Sequence, residues 1–594
     1  MKKILNSGVA WFAAFTAVFA VCAVFVFWGT WSLDFVPVMP DCATNFRGWS
    51  SSVEGFFRSF VTTGKFVPDD LKVFFASPWV WVELQYVFAA YCAALGLVYF
   101  LKGKGLSNLA CYGAGLFLAF SGYWFTLFSA GHLGWFRWMT YGVFAFGLID
   151  RALPIRNSSL FTFHSSLKHF VLLGACVAWG SFYQPDLWLL FTIFTGVYFI
   201  YRAWRAVAAK NAKDHKAFSF GLGKGVAVAG VVFLLIGLPS FYSAFVVDLA
   251  GRDQQIEESK GDPAKGGGEA EKASAEDRWI FVTNWSLPPD EIAEAMFPRI
   301  NGDTSCVLTQ SLGTKAGTGV TPYTGAIGRP LGAREGNYRQ HSLYIGFVTC
   351  LLALVGLVGG LIDFKNRKSS LSTSTSSLHL DAVFFAISAV VFAAFACGRY
   401  LEPVYRLVYM LPFGDYLRAP VKWYHLFEFC VVVLAGFGIE AVVKFFDLRR
   451  EGTAGDLKGR LPRVLLVAVI LIGVFDVVRV DRKFCAPVDM SAARAKNADM
   501  QMTLLPKQQF NHPQVAQMVQ AGLIKSLAYY PGNRDVYLVG ILKPRGPKED
   551  KPMPPWTLPT WLGLVSVVAS VAVIGLAGWR RGCPNNPDVK GGEV

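Results

Sequence analysis

The stretch Val9–Trp28, VAWFAAFTAVFAVCAVFVFW, carries no charged residue over twenty positions. A bilayer offers backbone N–H and C=O groups no partners, and a helix of about 20 apolar residues satisfies them internally while crossing the hydrocarbon layer. The stretch therefore reads as a transmembrane helix. Lys2 and Lys3 precede it as they would in a signal peptide, but no small-x-small cleavage site follows, so it is taken as an uncleaved first span.

The rest of the chain repeats the pattern. Of 594 residues, 53% are hydrophobic and 16% charged, with 18 Trp and 51 Phe, a balance that excludes a soluble protein of this length. Further apolar runs lie near Trp79–Leu101, Leu106–Leu127, Leu133–Ile149, Phe170–Tyr183, Leu187–Tyr201, Val226–Val247, Leu343–Ile362, Ala382–Cys397, Trp423–Val443, Val464–Val478 and Trp556–Trp579. The expectation is an all-α polytopic membrane protein of about twelve spans.

Short cytoplasmic loops carry an excess of Lys and Arg. Alternate connections do so: Lys102 and Lys104; Arg151 and Arg156; Arg202, Arg205, Lys210 and Lys213; Lys365, Arg367 and Lys368; Arg449, Arg450, Arg460 and Arg463; and Arg580 and Arg581. Both termini are thereby placed in the cytoplasm. The formal net charge of +15 forms no basic stripe interleaved with aromatics, which argues against nucleic acid as a partner and for charges that orient helices.

This layout divides the chain into a membrane block 1–247, an outside loop 248–340, a second membrane block 341–480, an outside segment 481–555, and a last span with its tail, 556–594. A first outside loop, 29–78, lies within the first block. Long loops in compact membrane proteins carry function or small folded units. Glu258–Asp277 is rich in Gly and charge and reads as a mobile excursion. Eleven cysteines have no CxxC spacing; Cys22, Cys92, Cys111, Cys176, Cys350 and Cys430 fall in apolar runs and read as packing residues, while Cys42, Cys306 and Cys485 fall in outside segments where a disulfide is open to any pair.

Metalloprotease, nucleotide-loop, serine-hydrolase and dinucleotide motifs are absent in any usable context. What remains is polar residues at the outer ends of spans. They are Asp34 and Asp41 after the first span, His132 in Ser129-Ala-Gly-His-Leu-Gly134, Gln184 and Asp186 in Tyr183-Gln-Pro-Asp186, and Arg399, Arg406, Arg418 and Lys422 between the ninth and tenth spans. All map to one membrane face. Ordinary polar loops and interfacial anchors would give the same pattern. Glu83, Glu428, Glu440 and Asp476 lie near or within spans, where an ionisable group calls for a buried partner, a polar cavity or a snorkelling route to the surface.

Several stretches resemble the bacterial YfhO-like membrane proteins, relatives of the GT-C glycosyltransferases. They are Phe120-Ser-Gly-Tyr123 running into Gly131-His-Leu-Gly134; Asn284-Trp-Ser-Leu-Pro-Pro-Asp-Glu291; Pro322-Tyr-Thr-Gly325, then Asn337-Tyr338 and Tyr344-Ile-Gly346; and Gly398-Arg-Tyr400 through Tyr405-Arg-Leu407 and Leu411-Pro412 to Leu417-Arg-Ala-Pro420 and Leu434-Ala-Gly-Phe-Gly438. The likeness runs in order over residues 1–445. Phe66-Val-Pro-Asp69 and Gln184-Pro185 differ from the family's pattern.

The resemblance implies a GT-C-like cage of helices in the bacterial cytoplasmic membrane. It would take a sugar from a polyprenyl-phosphate carrier and pass it to an extracytoplasmic cell-envelope acceptor. A carboxylate of the first outside loop would be the catalytic base, with Asp41 the better match and Asp34 its rival. Arg399, Arg418 and Lys422 would hold the lipid phosphate, with His132, Gln184 and Asp186 lining the substrate site. The chemistry demands these types: a hydroxyl acceptor must lose its proton, and a leaving phosphate needs cationic side chains or a divalent cation. No protein metal ligands are assigned. A lipid or glycan translocase is the alternative, and a non-catalytic membrane protein the third reading.

Overall fold

The computed structural model describes residues 8–30, 35–37, 53–65, 78–130, 137–154, 163–208, 212–248, 274–302, 307–309, 325–327, 342–366, 376–411, 414, 417–448, 461–485, 487–489, 498–506, 509, 512–529, 536–544 and 552–578. In chain order its elements are α1 (Gly8–Val26), β1 (Phe35–Pro37), α2 (Val53–Thr63), α3 (Pro78–Gly103), α4 (Asn108–Ala119), α5 (Gly122–Ala130), α6 (Met139–Ala152), α7 (Phe163–Gly180), α8 (Pro185–Ala208), α9 (Ala212–Tyr242), α10 (Ala275–Thr283), β2 (Val307–Thr309), α11 (Phe347–Asn366), α12 (Ser376–Ala396), α13 (Glu402–Tyr409), α14 (Tyr424–Leu448), α15 (Leu461–Asp481), β3 (Pro487–Asp489), β4 (Ala498–Pro506), α16 (Pro513–Gln520), β5 (Ile524–Tyr529), β6 (Val536–Pro544) and α17 (Leu558–Gly578).

Eight of the described helices are long and apolar enough to cross a bilayer: α1, α3, α8, α9, α12, α14, α15 and α17. Two shorter apolar helices, α7 and α11, accompany them. The bundle surface is apolar where a soluble protein's would be polar, with Val9, Val21, Ile200, Val390 and Val568 each about two-thirds exposed or more. Such a surface needs lipid as its solvent. The chain is a membrane protein.

Two of the twelve expected spans take another form. The run Leu106–Leu127 is not one helix: α4 ends at Ala119 and α5 starts at Gly122, with a break at Phe120–Ser121. The run Leu133–Ile149 contributes only the fourteen-residue α6, beginning at Met139. The core runs along α14, whose Phe429, Cys430, Val432, Val433, Ala435 and Ile439 are all fully buried against its neighbours. An aromatic stack formed by Phe146, Phe191, Phe194, Phe385 and Phe429 joins α6, α8, α12 and α14.

The two ends of the bundle differ. At one end, the Lys and Arg positions that mark loops in the sequence include three cations turned inward. Lys104 Nζ lies 3.0 Å from Asp150 and 2.6 Å from Asp381, Arg202 Nε 2.8 Å from Asp150, and Arg205 2.9 Å from Asp381. Tyr198 donates to Asp150 and Tyr201 to Asp381. The network ties the ends of α3, α6, α8 and α12 together.

At the other end, the segments that interrupt the helices fold against one another. β4, β5 and β6, with β2 from the middle loop, form an antiparallel sheet in the order β2-β5-β6-β4, and β4 and β6 pair from Ala498↔Pro544 to Pro506↔Val536. The outside segment 481–555, expected as a loop segment of mixed structure, thus supplies strands β4 to β6 and helix α16 between two spans. β1, directly after Asp34, pairs with β3 in the register Phe35↔Asp489.

Helix α10 begins inside the stretch read as mobile. Residues 258–273 lie outside the described residues, but Ser274 caps α10 by accepting from Asp277 N while the Asp277 carboxylate accepts from Ser274 N. This reciprocal pair satisfies two N–H groups that a helix start leaves without partners. Deleting residues 258–273 is therefore expected to leave the thermal midpoint in detergent unchanged. Extending the deletion through Asp277 should lower stability by about 1 kcal/mol for the lost cap, and equal midpoints for the two deletions would overturn the distinction.

Candidate functional site

The end that carries the sheet also gathers the motif segments. Its keystone is Glu428, one turn into α14 and 1% exposed. The break between α4 and α5 leaves the first N–H groups of α5 without helical partners. The Glu428 carboxylate takes them: Tyr123 N donates at 2.9 Å, Trp124 N at 3.3 Å, and Ser121 Oγ donates as well. Gly122 N donates to Tyr344 O at 2.9 Å. A Cβ on Gly122 would stand 2.2 Å from that same oxygen, which is why the position holds glycine. Glu428 had marked itself in sequence as an acid within a span, and a buried partner set is what it has.

The segment Val282–Leu287 threads between the two ends of the α12–α14 connection. Ala419 N donates to Val282 O and Val421 N to Trp285 O, each at 3.0 Å; Leu287 N donates to Ala396 O at 2.8 Å; and Arg399 N donates to Ser286 Oγ at 3.0 Å. Trp285 and Ala419 both hold φ of 64°. Left-handed backbone costs a non-glycine residue on the order of 1–2 kcal/mol, and these bonds hold it in place. Pro420 disfavours helix in the residue before it, and Ala419 meets that constraint in the left-handed region rather than in an extended one. Gly398, at φ +49°, lies where a Cβ would meet Ser286 Oγ at 2.2 Å and Pro420 at 2.6 Å.

Glu291, fully buried, accepts from Ala326 N at 2.7 Å, and Ile345 N donates to Ala295 O at 3.0 Å. Stretches quoted above from five separate parts of the sequence thus meet at one end: Phe120–Tyr123, Asn284–Glu291, Gly325, Tyr344–Gly346 and Gly398–Pro420.

Of the residues singled out from sequence, Asp34, Asp41 and His132 lie outside the described residues. Asp186 and Lys422 are brought together as an ion pair, with side chains 18% and 6% exposed. Asp186 sits in the first turn of α8, where the helix dipole favours a carboxylate, and it also accepts from Leu187 N at 2.8 Å. Gln184 is half-buried just ahead of α8. Arg418 is exposed, its guanidinium 4.3 Å from the Phe281 ring centroid. Arg399 lies at the other end of the connection, 5.3 Å from the Tyr400 ring centroid. Arg399 and Arg418 are joined through Val282–Ser286, whereas Lys422 lies behind Arg418 with its charge committed to Asp186.

Three buried groups in this region were not singled out. His425 is 1% exposed, its ring tilted against that of Tyr123 with centroids 4.3 Å apart, and its Nδ1 lies 3.9 Å from Glu428. Ser121 donates to Glu428, and Asp481 is fully buried at the end of α15. The only signal for His425 was its place three residues before Glu428 in an apolar run. Cys485 is buried as well, while Cys42 and Cys306 lie outside the described residues.

Chemically, the end offers exposed guanidinium groups stacked on aromatics and carboxylates already engaged with partners. Removing one member of a buried ion pair costs about 3–5 kcal/mol, because the other charge is left unpaired in a low-dielectric site. Asp186→Ala should therefore destabilise the folded protein by that order in detergent unfolding. The double variant Asp186→Leu with Lys422→Met should recover most of the loss, and a double variant no better than Asp186→Ala would show that the pair is not the source of the cost.

No protein-family model matches this chain, and no curated protein matches it.

Proposed function

We propose that the chain is a membrane glycosyltransferase that moves a sugar from a polyprenyl-phosphate carrier to a cell-envelope acceptor at the extracytoplasmic face of the bacterial cytoplasmic membrane. The observation that carries this reading is the clustering, at one end of the bundle, of the stretches that resemble the GT-C relatives, with Arg399 and Arg418 on either side of the buried segment Val282–Ser286. A guanidinium presents a planar fork of N–H groups that suits a phosphodiester. Phosphate held there would place the anomeric carbon of the lipid-borne sugar just outside the bilayer surface.

The acceptor hydroxyl needs a base, and Asp41 of the first loop takes that role, with Asp34 as its rival. β1, the strand that starts directly after Asp34, pairs with β3, and β3 follows α15 closely in sequence. This brings the backbone of the first loop to the same end as the arginines. A divalent cation is the cofactor that would assist departure of the phosphate.

In the full scheme twelve spans place both termini in the cytoplasm and this end outside. Lys104, Arg202 and Arg205 are consumed in ion pairs at the opposite end, so the orientation rests on the remaining basic loop residues. Reporter fusions after Lys104, Arg205 and Arg450 should read cytoplasm, and a fusion at Gly266 should read outside. A cytoplasmic reading at Gly266 would reverse the scheme.

One observation favours the alternative of a lipid or glycan translocase. The broken helix α4–α5, with a buried carboxylate at the break, resembles the discontinuous helices from which transporters build binding sites, here at one end of the bundle. The two readings separate on the first-loop acids. General-base catalysis contributes about 10²–10⁴-fold in rate, so Asp41→Asn should nearly abolish sugar transfer in membranes supplied with a polyprenyl-phosphate sugar, while Asp34→Asn keeps activity. Transfer by both variants at the parent rate would remove the catalytic mechanism and leave translocation as the reading to pursue.

A further inference from the structure

The connection between α12 and α14 starts at the end of one span and finishes at the start of the next, so α13 lies at the level of the membrane surface. Its residues divide into three faces. Tyr405 and Val408 turn into the protein, at 0% and 2% exposed, with Tyr405 OH donating to Leu417 O at 2.9 Å. Glu402 and Arg406 pair on a second face through two bonds of 2.8 and 2.9 Å. The third, apolar and open, is Leu407 of α13 with Met410 and Leu411 of the turn that follows it, 65%, 77% and 50% exposed.

Three large side chains held this far out in water would forgo about 1.5–3 kcal/mol of burial each. Nothing in the local sequence forces that cost, because a helix of this length can be rotated by a change in its flanking turns. The patch is also not isolated. Ile387 and Val390 of α12, in the span that leads into this connection, are 60% and 70% exposed, so the chain enters the connection from a helix that itself bears a lipid-facing surface.

The rim of the patch is cationic. Arg406 lies 4.4 Å from the Trp279 ring centroid and Arg418 4.3 Å from that of Phe281, both rings belonging to α10, and Arg399 is at the start of the same connection. Arg406 spends two N–H groups on Glu402, and a guanidinium has five, so further donors remain for an anion. Over residues 398–418 three arginines stand against Glu402 and Asp415, so the segment keeps a net positive charge beside an apolar face, which matches acyl chains below and phosphodiester headgroups above.

We infer that α13 is an interfacial helix seated in the leaflet at this end of the bundle, with Leu407, Met410 and Leu411 among acyl chains and Arg406 and Arg418 on headgroup phosphates. The occupant of the patch is the bilayer itself. This assignment does not depend on sugar transfer, and it holds whichever side of the membrane this end faces.

The test places a photo-reactive benzoyl-phenylalanine at Met410 in the full chain in nanodiscs of phosphatidylcholine and phosphatidylglycerol. The same probe at Val390, within a span, is the lipid control, and at Gln517, exposed on α16, the water control. Met410 should yield phospholipid adducts at a level within about twofold of Val390, with Gln517 yielding none. Adducts at the Gln517 level, or crosslinks to a second copy of the chain or to another protein, would overturn the assignment. A second measurement reads the rim. Phosphatidylglycerol should raise the melting midpoint of the parent, and the exposed-residue variant Arg406→Gln with Arg418→Gln should lose most of that rise; an undiminished rise would remove the arginines from the headgroup layer.

Discussion

One carboxylate holds the two halves of the membrane domain in register. A helix that breaks among apolar neighbours exposes N–H groups that lipid and packed side chains cannot satisfy, and each such group costs several kcal/mol. At the break before α5 those groups are met by Glu428, more than 300 residues away in sequence, whose oxygens accept from Ser121, Tyr123 and Trp124. Neither the break nor the buried acid is tolerable alone; together they are. The consequences run outward. Fixing α14 against α5 also fixes the turn Pro420–Trp423 that precedes it, and so sets Lys422 against Asp186. The Gly122–Tyr344 contact fixes the chain entering α11, where Tyr344 OH donates to Asp476 of α15.

The contrast between the two ends of the bundle has a simple electrostatic basis. Where Lys104, Arg202 and Arg205 meet Asp150 and Asp381, every charge is enclosed, and five charged side chains with two tyrosines satisfy each other. Such a network fixes helix positions and leaves little to offer a ligand. At the other end the pairs Asp186–Lys422 and Tyr344–Asp476, each with one buried partner, lie beneath, while Arg406 and Arg418 stand over aromatic rings at the surface. Rigid support beneath exposed cations is the arrangement expected of a site that must hold an anion without reorganising.

What could be read from sequence followed the range of the interactions involved. Membrane character is a local property of composition, and it was legible from Val9–Trp28 alone. Convergence of the polar turns on one end followed from alternation of basic loops, and Asp186, Arg399, Arg418 and Lys422 do lie there. The break in Leu106–Leu127 was hidden, since hydropathy does not report backbone continuity and the only local marks were Ser121 and Gly122. Lys104 looked like an ordinary loop cation because Asp381, its partner, is 277 residues away. Strands β4, β5 and β6 lie in one segment, but the sheet is completed at β5 by β2 from a different loop, which no local pattern reports. The helical start at Ser274 was readable after all, as a Ser with Asp three residues on, but the Gly-rich composition before it masked the signal.

The commitments of the described carboxylates narrow where a base for group transfer would come from. A general base must reach the proton it removes, and a carboxylate already neutralised by a cation or capping a helix is a poor acceptor. Glu428 caps α5, Asp186 holds Lys422, Asp476 accepts from Tyr344 and Arg479, Glu440 from Ser107 N, Glu291 from Ala326 N, and Glu402 from Arg406. Asp481 accepts no hydrogen bond from any described residue, yet it is fully buried and cannot touch an acceptor in this conformation. Asp290, in the Asn284–Glu291 segment at this end, is an exposed carboxylate that none of these bonds engages, and the first loop reaches the same end through the pairing of β1 with β3, a few residues beyond Asp481. Asp481 is thus a carboxylate that is costly to bury, a few residues before β3, the strand that pairs with β1.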